Sequence, residues 1–338
     1  MEPHLFDEAV DTQLDRLASE VQAEQAAAAA APSERAEITL YARIADVKKR
    51  ARTQAVQDLM YYSVLRKFMA VGVDLLPPLD GKHVVGGADL LALTKGVHSQ
   101  EALEWVKEHL ENVLGMTQGP GPFSNAMVRM SKLQASQIYI ASLMFGYFLR
   151  RIDSRFQLER RLGTLPRSME ESVQTLEELF NNAAAASDDV GAQQQQPSPA
   201  SDATGMVTSM GGNRNLKLKR YLESFDAETL SATARIVSTE GAALVERQTT
   251  ALFGSVEHLT QQMAQAIGTE VKSREDFMQR MNTAMQTGQI DTVTLPYSTQ
   301  RRVVLEAVAF GAFLRDVETR LGTGDHALLL TAAGPDAM

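Results

Sequence analysis

Near the start of the chain, apolar residues recur alternately four and three positions apart. They are Val10, Leu14, Leu17 and Val21. This is the spacing of one face of an α-helix. An alanine run follows and Pro32 ends the pattern, so we predict a helix over residues 5–30, within a mobile, acidic and alanine-rich segment 1–36. The simpler interpretation is a solvated extension, and the alternative is a coiled-coil arm that binds a partner.

Two shorter segments share one set of helix signals. In the first, Ser99 lies at an N-cap position, Glu101 follows in the first turn, and Gly115 stands at the C-terminal end. The apolar face between them consists of Leu103, Val106, Leu110 and Val113. At an offset of 139 positions the whole set is matched, in order, by Ser238, Glu240, Ala242, Val245, Thr249, Leu252 and Gly254. We therefore predict two equivalent helices.

A second correspondence covers two longer helices. Residues 145–155 read FGYFLRRIDSR, and residues 310–320 read FGAFLRDVETR, at an offset of 165. A period this long indicates two related modules rather than a short repeat. We predict a first module over residues 37–180, a second over residues 214–324, and a C-terminal tail over residues 325–338.

The segments between and inside the modules differ in composition from the rest. Residues 181–213 are rich in Ala, Ser, Asp, Gln, Pro and Gly. Such a segment buries too little apolar surface to offset its ordering entropy, so we predict a disordered linker. The two offsets differ by 26, which places 26 additional residues of the second module in the Met- and Gln-rich stretch 255–288.

A short extended segment precedes each long helix, at residues 125–130 and 291–295. We expect the two strands to pair into a small ribbon. The predicted fold class is therefore mainly α: two homologous helical modules in a pseudo-twofold arrangement, each with a short β-strand.

Each long helix carries a glycine at the equivalent position, Gly146 and Gly311, beside phenylalanine. A glycine inside a helix lowers its stability by roughly 1 kcal/mol relative to alanine. A glycine at the equivalent position of both helices indicates close approach of another backbone, so we expect the two long helices to cross there. The alternative is a ligand that lies against both glycines.

Arg150 and Arg315 follow these glycines by four positions. Each has an acidic residue three positions further on, Asp153 and Glu318, which allows an ion pair on one helix face. A structural ion-pair network is the simpler interpretation. The functional alternative is a small-molecule or anion site between the modules, formed by the two arginines and the two glycines.

The composition narrows the possible functions. A net charge of −9 argues against a general nucleic-acid binder, whose surface should be basic. The basic cluster of residues 48–52 is best interpreted as a solvated helix face. The chain contains no cysteine, which excludes disulfides, thiolate metal sites and cysteine nucleophiles.

Motifs that would carry chemistry are missing from the sequence. The six histidines never stand three or four positions apart, so helix-borne zinc or di-iron sites are not expected. The sequence also lacks the phosphate-binding P-loop and the Gly-x-Ser-x-Gly nucleophile elbow. We therefore expect no metal, no cofactor and no recognisable catalytic residue.

Membrane and targeting signals are equally scarce. The most apolar run, residues 138–149, is shorter than the roughly 18 residues of a membrane span. The first twenty residues are rich in acidic side chains, unlike a transit peptide, and lack the apolar core of a signal peptide. We expect a soluble chain whose targeting segment either does not exist or has been removed.

The long-helix sequences SQIYIASLMFGYFLRRIDSRFQLE and RRVVLEAVAFGAFLRDVE, together with HSQEALEWVKEHLENVLG, resemble the domain of unknown function 760 family. The resemblance covers most of residues 40–163 and 216–322. The family occurs in cyanobacteria and in chloroplast proteins of plants and algae, among them UV-B-induced chloroplast proteins. The resemblance implies the chloroplast stroma, or the cytoplasm of a cyanobacterium, and it provides no catalytic residues to carry over.

Three functional hypotheses follow. The leading one is a non-enzymatic plastid protein, regulatory or stress-related, that acts through contacts with a protein partner. The second is a small-molecule or anion sensor that binds near Gly146, Gly311, Arg150 and Arg315. The third is an enzyme with an unrecognised site. The sequence identifies neither the partner nor the oligomeric state.

Overall fold

The computed structural model describes residues 3–29, 35–79, 92–94, 96–115, 126–165, 214–268 and 273–334. The predicted linker, residues 181–213, lies outside these ranges. The helices are α1 (Pro3–Ala29), α2 (Arg35–Ala70), α3 (Gln100–Leu114), α4 (Lys132–Leu162), α5 (Arg214–Glu223), α6 (Ala227–Ala234), α7 (Thr239–Phe253), α8 (Val256–Ile267), α9 (Arg274–Gln286) and α10 (Tyr297–Leu321). A 3₁₀ helix follows at Gly324–Leu329. The predicted mainly helical fold is confirmed.

The predicted β-ribbon is also confirmed. Strands β1 (Met127–Ser131) and β2 (Thr292–Pro296) pair antiparallel, with Val128 opposite Leu295 and Met130 opposite Val293. Each strand leads directly into a long helix, α4 or α10. The ribbon therefore joins the starting points of these two helices.

The two capped helices form as their sequences indicate. The Ser99 hydroxyl accepts a hydrogen bond from the N–H of Ala102 at the start of α3, and Ser238 accepts one from Gly241 at the start of α7. Gly115 and Gly254 end these helices with φ of 81° and 92°, a left-handed backbone that favours glycine. The caps are confirmed, while a common origin of the two modules stays a prediction.

The stretch 255–288 forms a pair of short helices. Ser255 caps α8 and Ser273 caps α9 through their hydroxyl groups. Leu259, Ile267 and Ala284 are buried on the inner faces of these helices. The additional residues of the second predicted module thus form two helices between α7 and β2.

Two compact units divide the chain, and their bounds differ from those of the predicted modules. The larger unit comprises Met1–Arg151 with Ser231–Met338, and the smaller comprises Ile152–Leu230. The core of the larger unit is built around α10, in which every residue from Arg302 to Leu314 is buried. Both predicted long-helix glycines and both predicted long-helix arginines belong to this unit.

The smaller unit has its own aromatic cluster. The rings of Phe156 and Tyr221 lie 5.5 Å apart, and those of Tyr221 and Phe225 lie 4.9 Å apart. The Tyr221 hydroxyl donates to Glu159 at 2.7 Å. Burial and this carboxylate raise the pKa of Tyr221, so the phenol stays protonated.

Helix α1, predicted as a mobile extension, places one face in the larger unit. Val10, Leu14, Ala18 and Val21 are buried on that face. The opposite face is exposed. Three acidic residues of α1 pair with basic side chains of α2, α10 and the 3₁₀ helix. Part of the predicted tail is ordered as well, because the 3₁₀ helix contacts α1.

Candidate functional site

Gly146 and Gly311 lie where α4 and α10 cross. A Cβ atom built on Gly146 would lie 2.0 Å from the carbonyl oxygen of Val308, and one built on Gly311 would lie 2.0 Å from that of Leu143. Both distances are far shorter than any real contact, so neither position has room for a methyl group. The packing interpretation of the two glycines is confirmed.

A buried carboxylate, Glu318, lies on α10 two turns beyond the crossing and is 2% exposed. The Tyr147 hydroxyl of α4 donates to its Oε2 at 2.5 Å. The Ser238 hydroxyl donates to its Oε1, and the Ser238 backbone N–H donates to the same oxygen at 3.2 Å. Both carboxylate oxygens are thus used, which offsets the desolvation of the charge.

Ser238 connects this carboxylate to the start of α7. Its hydroxyl donates to Glu318 and accepts from the N–H of Gly241 at 3.0 Å. A Cβ atom on Gly241 would lie 2.3 Å from Glu318 Oε1, so a larger residue here would require the Glu318 carboxylate to shift out of its hydrogen bonds. One N-cap therefore fixes α7 against α10.

Arg315 completes the cluster from the partly exposed side. Its Nη1 lies 3.7 Å from Glu318 Oε2, so the pair predicted from the three-residue spacing is confirmed. The guanidinium also lies 5.7 Å from the centre of the Tyr147 ring. Burial and the negative charge of Glu318 raise the pKa of Tyr147, which keeps its hydroxyl a donor.

Arg150 is held by α10. Its Nε and Nη2 donate to Asp316 at 2.7 and 3.1 Å, a bidentate pair, and its Nη1 donates to the carbonyl of Val97 at 2.8 Å. Lys67 of α2 lies 3.3 Å from the same aspartate. The structure therefore places Arg150 and Arg315 against different carboxylates, Asp316 and Glu318. Ligand binding by these arginines and the glycines stays a prediction.

A second carboxylate, Glu306, is fully buried in α10. Its Oε2 accepts from the N–H of Leu76 at 3.0 Å, and its Oε1 has no hydrogen-bond partner among the described residues. Burial raises the pKa of Glu306 to about 8, although the Leu76 N–H and the charge of Arg302 act in the opposite direction. This carboxyl is therefore protonated in much of the population near neutral pH.

Two tyrosines share the surroundings of Glu306. Burial, and secondarily the charge on Glu306, raise the pKa of the fully buried Tyr139. Tyr61 has a raised pKa too, chiefly through burial, and its hydroxyl donates to Gln248 at 2.9 Å. Both phenols therefore stay protonated near neutral pH.

An apolar groove of about 420 Å³ lies where α1 passes over α2 and α10. Leu59 and Met60 of α2 and Val317 and Leu321 of α10 contribute to its lining, together with Val10 and Leu14 of α1. Arg66, Lys67 and Arg320 also line it, together with Ser63 and two acidic residues, Asp7 of α1 and Asp316 of α10. The groove is therefore an apolar surface beside which basic side chains outnumber acidic ones.

Neither a metal site nor a membrane-spanning helix is found among the residues that the structure describes. Within the described ranges, no group of three or more His, Asp or Glu side chains could hold a metal ion. None of the helices in those ranges is long and apolar enough to cross a membrane.

The roles of several residues in these clusters could not be predicted from the sequence. Asp316 lies between the two members of the predicted pair and contacts Arg150, 166 positions away. Glu306 lies in an apolar run without an acidic neighbour. Gly241 follows the N-cap as an ordinary first-turn glycine. An acidic residue embedded in an otherwise apolar helix is the one available clue, since burying it requires an internal partner.

Over the residues that the structure describes, these features define a mainly helical protein with one antiparallel ribbon, in which buried charged groups connect helices. The chain belongs to the family described as Protein of unknown function (DUF760), which matches residues 39–162. The relative named UV-B-induced protein At3g17800, chloroplastic, from Arabidopsis thaliana, is 32% identical over 342 aligned positions, which cover 97% of this chain and 73% of the relative. No solved structure matches the chain.

Proposed function

We propose that this protein acts in the chloroplast stroma as a non-catalytic, regulatory or stress-related protein that works through contact with another protein. The observation that carries the proposal is the 32% identity, over 97% of this chain, to a relative whose name describes it as UV-B-induced and chloroplastic. Similarity of this extent supports a shared compartment and a shared response to light stress.

The geometry of the charged residues supports binding over catalysis. Glu318 and Arg150 use their polar atoms in contacts between helices, and the two glycines meet backbone atoms. Catalytic groups need an open approach to a substrate. Arg66 and Arg320 of the α1 groove, in contrast, are partly exposed and pair with exposed carboxylates of α1, an arrangement that suits an acidic partner.

A second candidate function is an anion sensor, and it rests on Arg315. Its side chain is 20% exposed, and its contacts with Tyr147 and Glu318, at 3.4 and 3.7 Å, are long. A small anion could therefore compete for this guanidinium more easily than for the bidentate Arg150.

Native mass spectrometry of the protein, gently purified from the stroma of its own source, tests both candidates. The proposed function predicts recovery in the stromal fraction together with a stoichiometric protein partner. A small-mass adduct that disappears in an Arg315→Gln variant would support the sensor instead. Recovery from another compartment would contradict the proposed location.

A further inference from the structure

The contact between α1 and the rest of the larger unit has two parts, an apolar stripe and a set of ion pairs. Asp11 lies 2.6 Å from Arg320, and Asp7 lies 3.3 Å from Arg66. Asp15 lies 2.7 Å from His326 in the 3₁₀ helix. Acidic groups on α1 thus face basic groups on three other elements.

The three pairs made by Asp7, Asp11 and Asp15 hold α1 weakly, whereas Glu24, near the other end of the helix, pairs with Arg52 of α2 at 2.8 Å in a less exposed position. The side chains of Asp7, Asp11 and Asp15 remain 48%, 42% and 72% exposed. Exposed pairs typically contribute about 0–1 kcal/mol each and are screened by salt. The ion pairs therefore select an acidic helix for this surface without fixing it there permanently.

The apolar stripe of α1 fills its groove incompletely. Val10 and Leu14 contribute to the lining, and about 420 Å³ of groove remains beside them. The other buried members of the stripe are Ala18 and Val21, so none of its side chains is larger than leucine. Unfilled apolar space lowers the packing energy that a helix gains. A helix with larger apolar side chains would gain more.

We propose that the groove beneath α1 is a docking site for an acidic amphipathic helix of a partner protein, and that α1 occupies this site when the partner is absent. The proposal rests on the proposed function and gives its protein contact a location and a partner chemistry. Charge complementarity defines the occupant: carboxylates on one edge, facing Arg66 and Arg320, and bulky apolar residues along the stripe.

The test uses a labelled synthetic peptide with the sequence of residues 3–29 as the probe, and the full-length chain as the receptor. In the wild-type chain, α1 competes with the peptide at the high effective concentration of a tethered segment. In a Leu14→Asp chain, a charge replaces a side chain that is 3% exposed, which should displace α1. Leu5→Asp is the matched control, because Leu5 lies on the same helix and is 50% exposed.

The expected result is at least about tenfold tighter peptide binding by the Leu14→Asp chain than by the Leu5→Asp or wild-type chain, since the internal competitor has been removed. A peptide carrying Asp7→Lys, Asp11→Lys and Asp15→Lys should bind at least about tenfold more weakly. A Leu14→Phe peptide should bind more tightly than the unchanged one. The proposal would be overturned if the three chains bound the unchanged peptide equally, or if the charge-reversed peptide bound as tightly as the unchanged one.

Two further measurements keep the test decisive. Should the Leu14→Asp chain fail to fold, an Asp11→Lys/Asp15→Lys chain displaces α1 through exposed positions, and the same gain in peptide affinity is expected. Light scattering measures whether the chain forms dimers by exchanging α1. Such dimers would show that a second copy of the chain, rather than a different protein, fills the groove, and would overturn the proposal. A Leu14→Asp chain that does not bind the peptide, although the protein still binds its stromal partner, would contradict this docking site and leave the proposed function standing.

Discussion

The crossing of α4 and α10 and the groove beneath α1 show two ways of packing a helix. At the crossing, the missing side chains of Gly146 and Gly311 let backbone atoms meet, and a neighbouring carboxylate, Glu318, receives three internal hydrogen bonds. In the groove, α1 contributes aliphatic side chains no larger than leucine together with exposed carboxylates, and about 420 Å³ stays unfilled.

This difference separates a fixed contact from an exchangeable one. Backbone contact and buried hydrogen bonds require one geometry, because any displacement leaves polar groups unpaired. Exposed ion pairs and a loosely filled groove tolerate replacement by a similar surface. Interaction with a partner is therefore expected at α1, and structural rigidity at the crossing.

The largest expected effect comes from Gly311→Ala. Helix propensity alone would stabilise this variant by about 1 kcal/mol. The new methyl group would instead lie 2.0 Å from the carbonyl oxygen of Leu143, so we expect a net loss of about 3 kcal/mol in the free energy of unfolding. Urea titration measures it. Gly334→Ala, which meets nothing within 4 Å, is the control and should unfold like the wild type. A stabilised Gly311→Ala variant would show that α4 and α10 do not meet through their backbones at this position.

The next effect concerns the pH dependence of Glu306. Its pKa of about 8 in the folded chain exceeds the value of about 4.3 in the unfolded chain. The folded state thus binds the proton more tightly, and the stabilisation is fully present below about pH 4.3 and lost as the pH rises through about 8. The contribution of Glu306 to the free energy of unfolding should fall over this interval by a few kcal/mol, to order of magnitude.

The variant Glu306→Gln isolates this titration. Its amide mimics the neutral acid, so the wild type should lose more stability than the variant between pH 5 and pH 9. Urea unfolding at both pH values measures the difference. Exposed Glu108→Gln is the control and should follow the wild type. Parallel pH profiles for wild type and Glu306→Gln would show that Glu306 is charged throughout.

Removing the Tyr147 hydroxyl should have an intermediate effect. Tyr147→Phe deletes the donor to Glu318 Oε2 and leaves a buried carboxylate oxygen without its nearest donor. We expect a loss of about 1–3 kcal/mol in unfolding free energy, measured by urea titration. Tyr62→Phe serves as the control, because its side chain is 55% exposed. Equal stability of the two variants would show that the hydrogen bond between Tyr147 and Glu318 does not stabilise the contact of α4 with α10.

The smallest effect is expected at the surface of α1. Asp11→Asn removes the ion pair with Arg320 and should lower stability by less than about 1 kcal/mol at low salt, and by almost nothing in 1 M sodium chloride. Thermal unfolding at both salt concentrations measures it. Glu8→Gln makes the same charge change on the same helix and should be neutral. A salt-independent loss of several kcal/mol would show that α1 is held as firmly as the buried contacts at the helix crossing.

Local signals in the sequence predict much of this fold. The caps at Ser99 and Ser238 depend on residues close by in sequence, and both form. The crossing is predictable because an internal helix glycine has one common use, close backbone approach. The ribbon follows from two extended segments that precede long helices.

The candidate site is predicted less well, because it depends on distant partners. Arg150 can pair locally with Asp153 by spacing, yet the structure holds it against Asp316, 166 positions away. Glu318 has a predictable partner in Arg315, whereas its contacts with Tyr147 and Ser238 arise from packing. The groove beneath α1 requires three elements whose arrangement periodicity does not specify.

Hydrogen–deuterium exchange of the full-length chain tests the contrast between fixed and exchangeable contacts most directly. Backbone amides of α10 between Val303 and Leu314 should exchange only through global unfolding, and those of α1 between Val10 and Val21 at least about 100-fold faster. Sodium chloride at 1 M should accelerate α1 exchange further and leave α10 unchanged. Equal protection of the two helices at both salt concentrations would contradict the account.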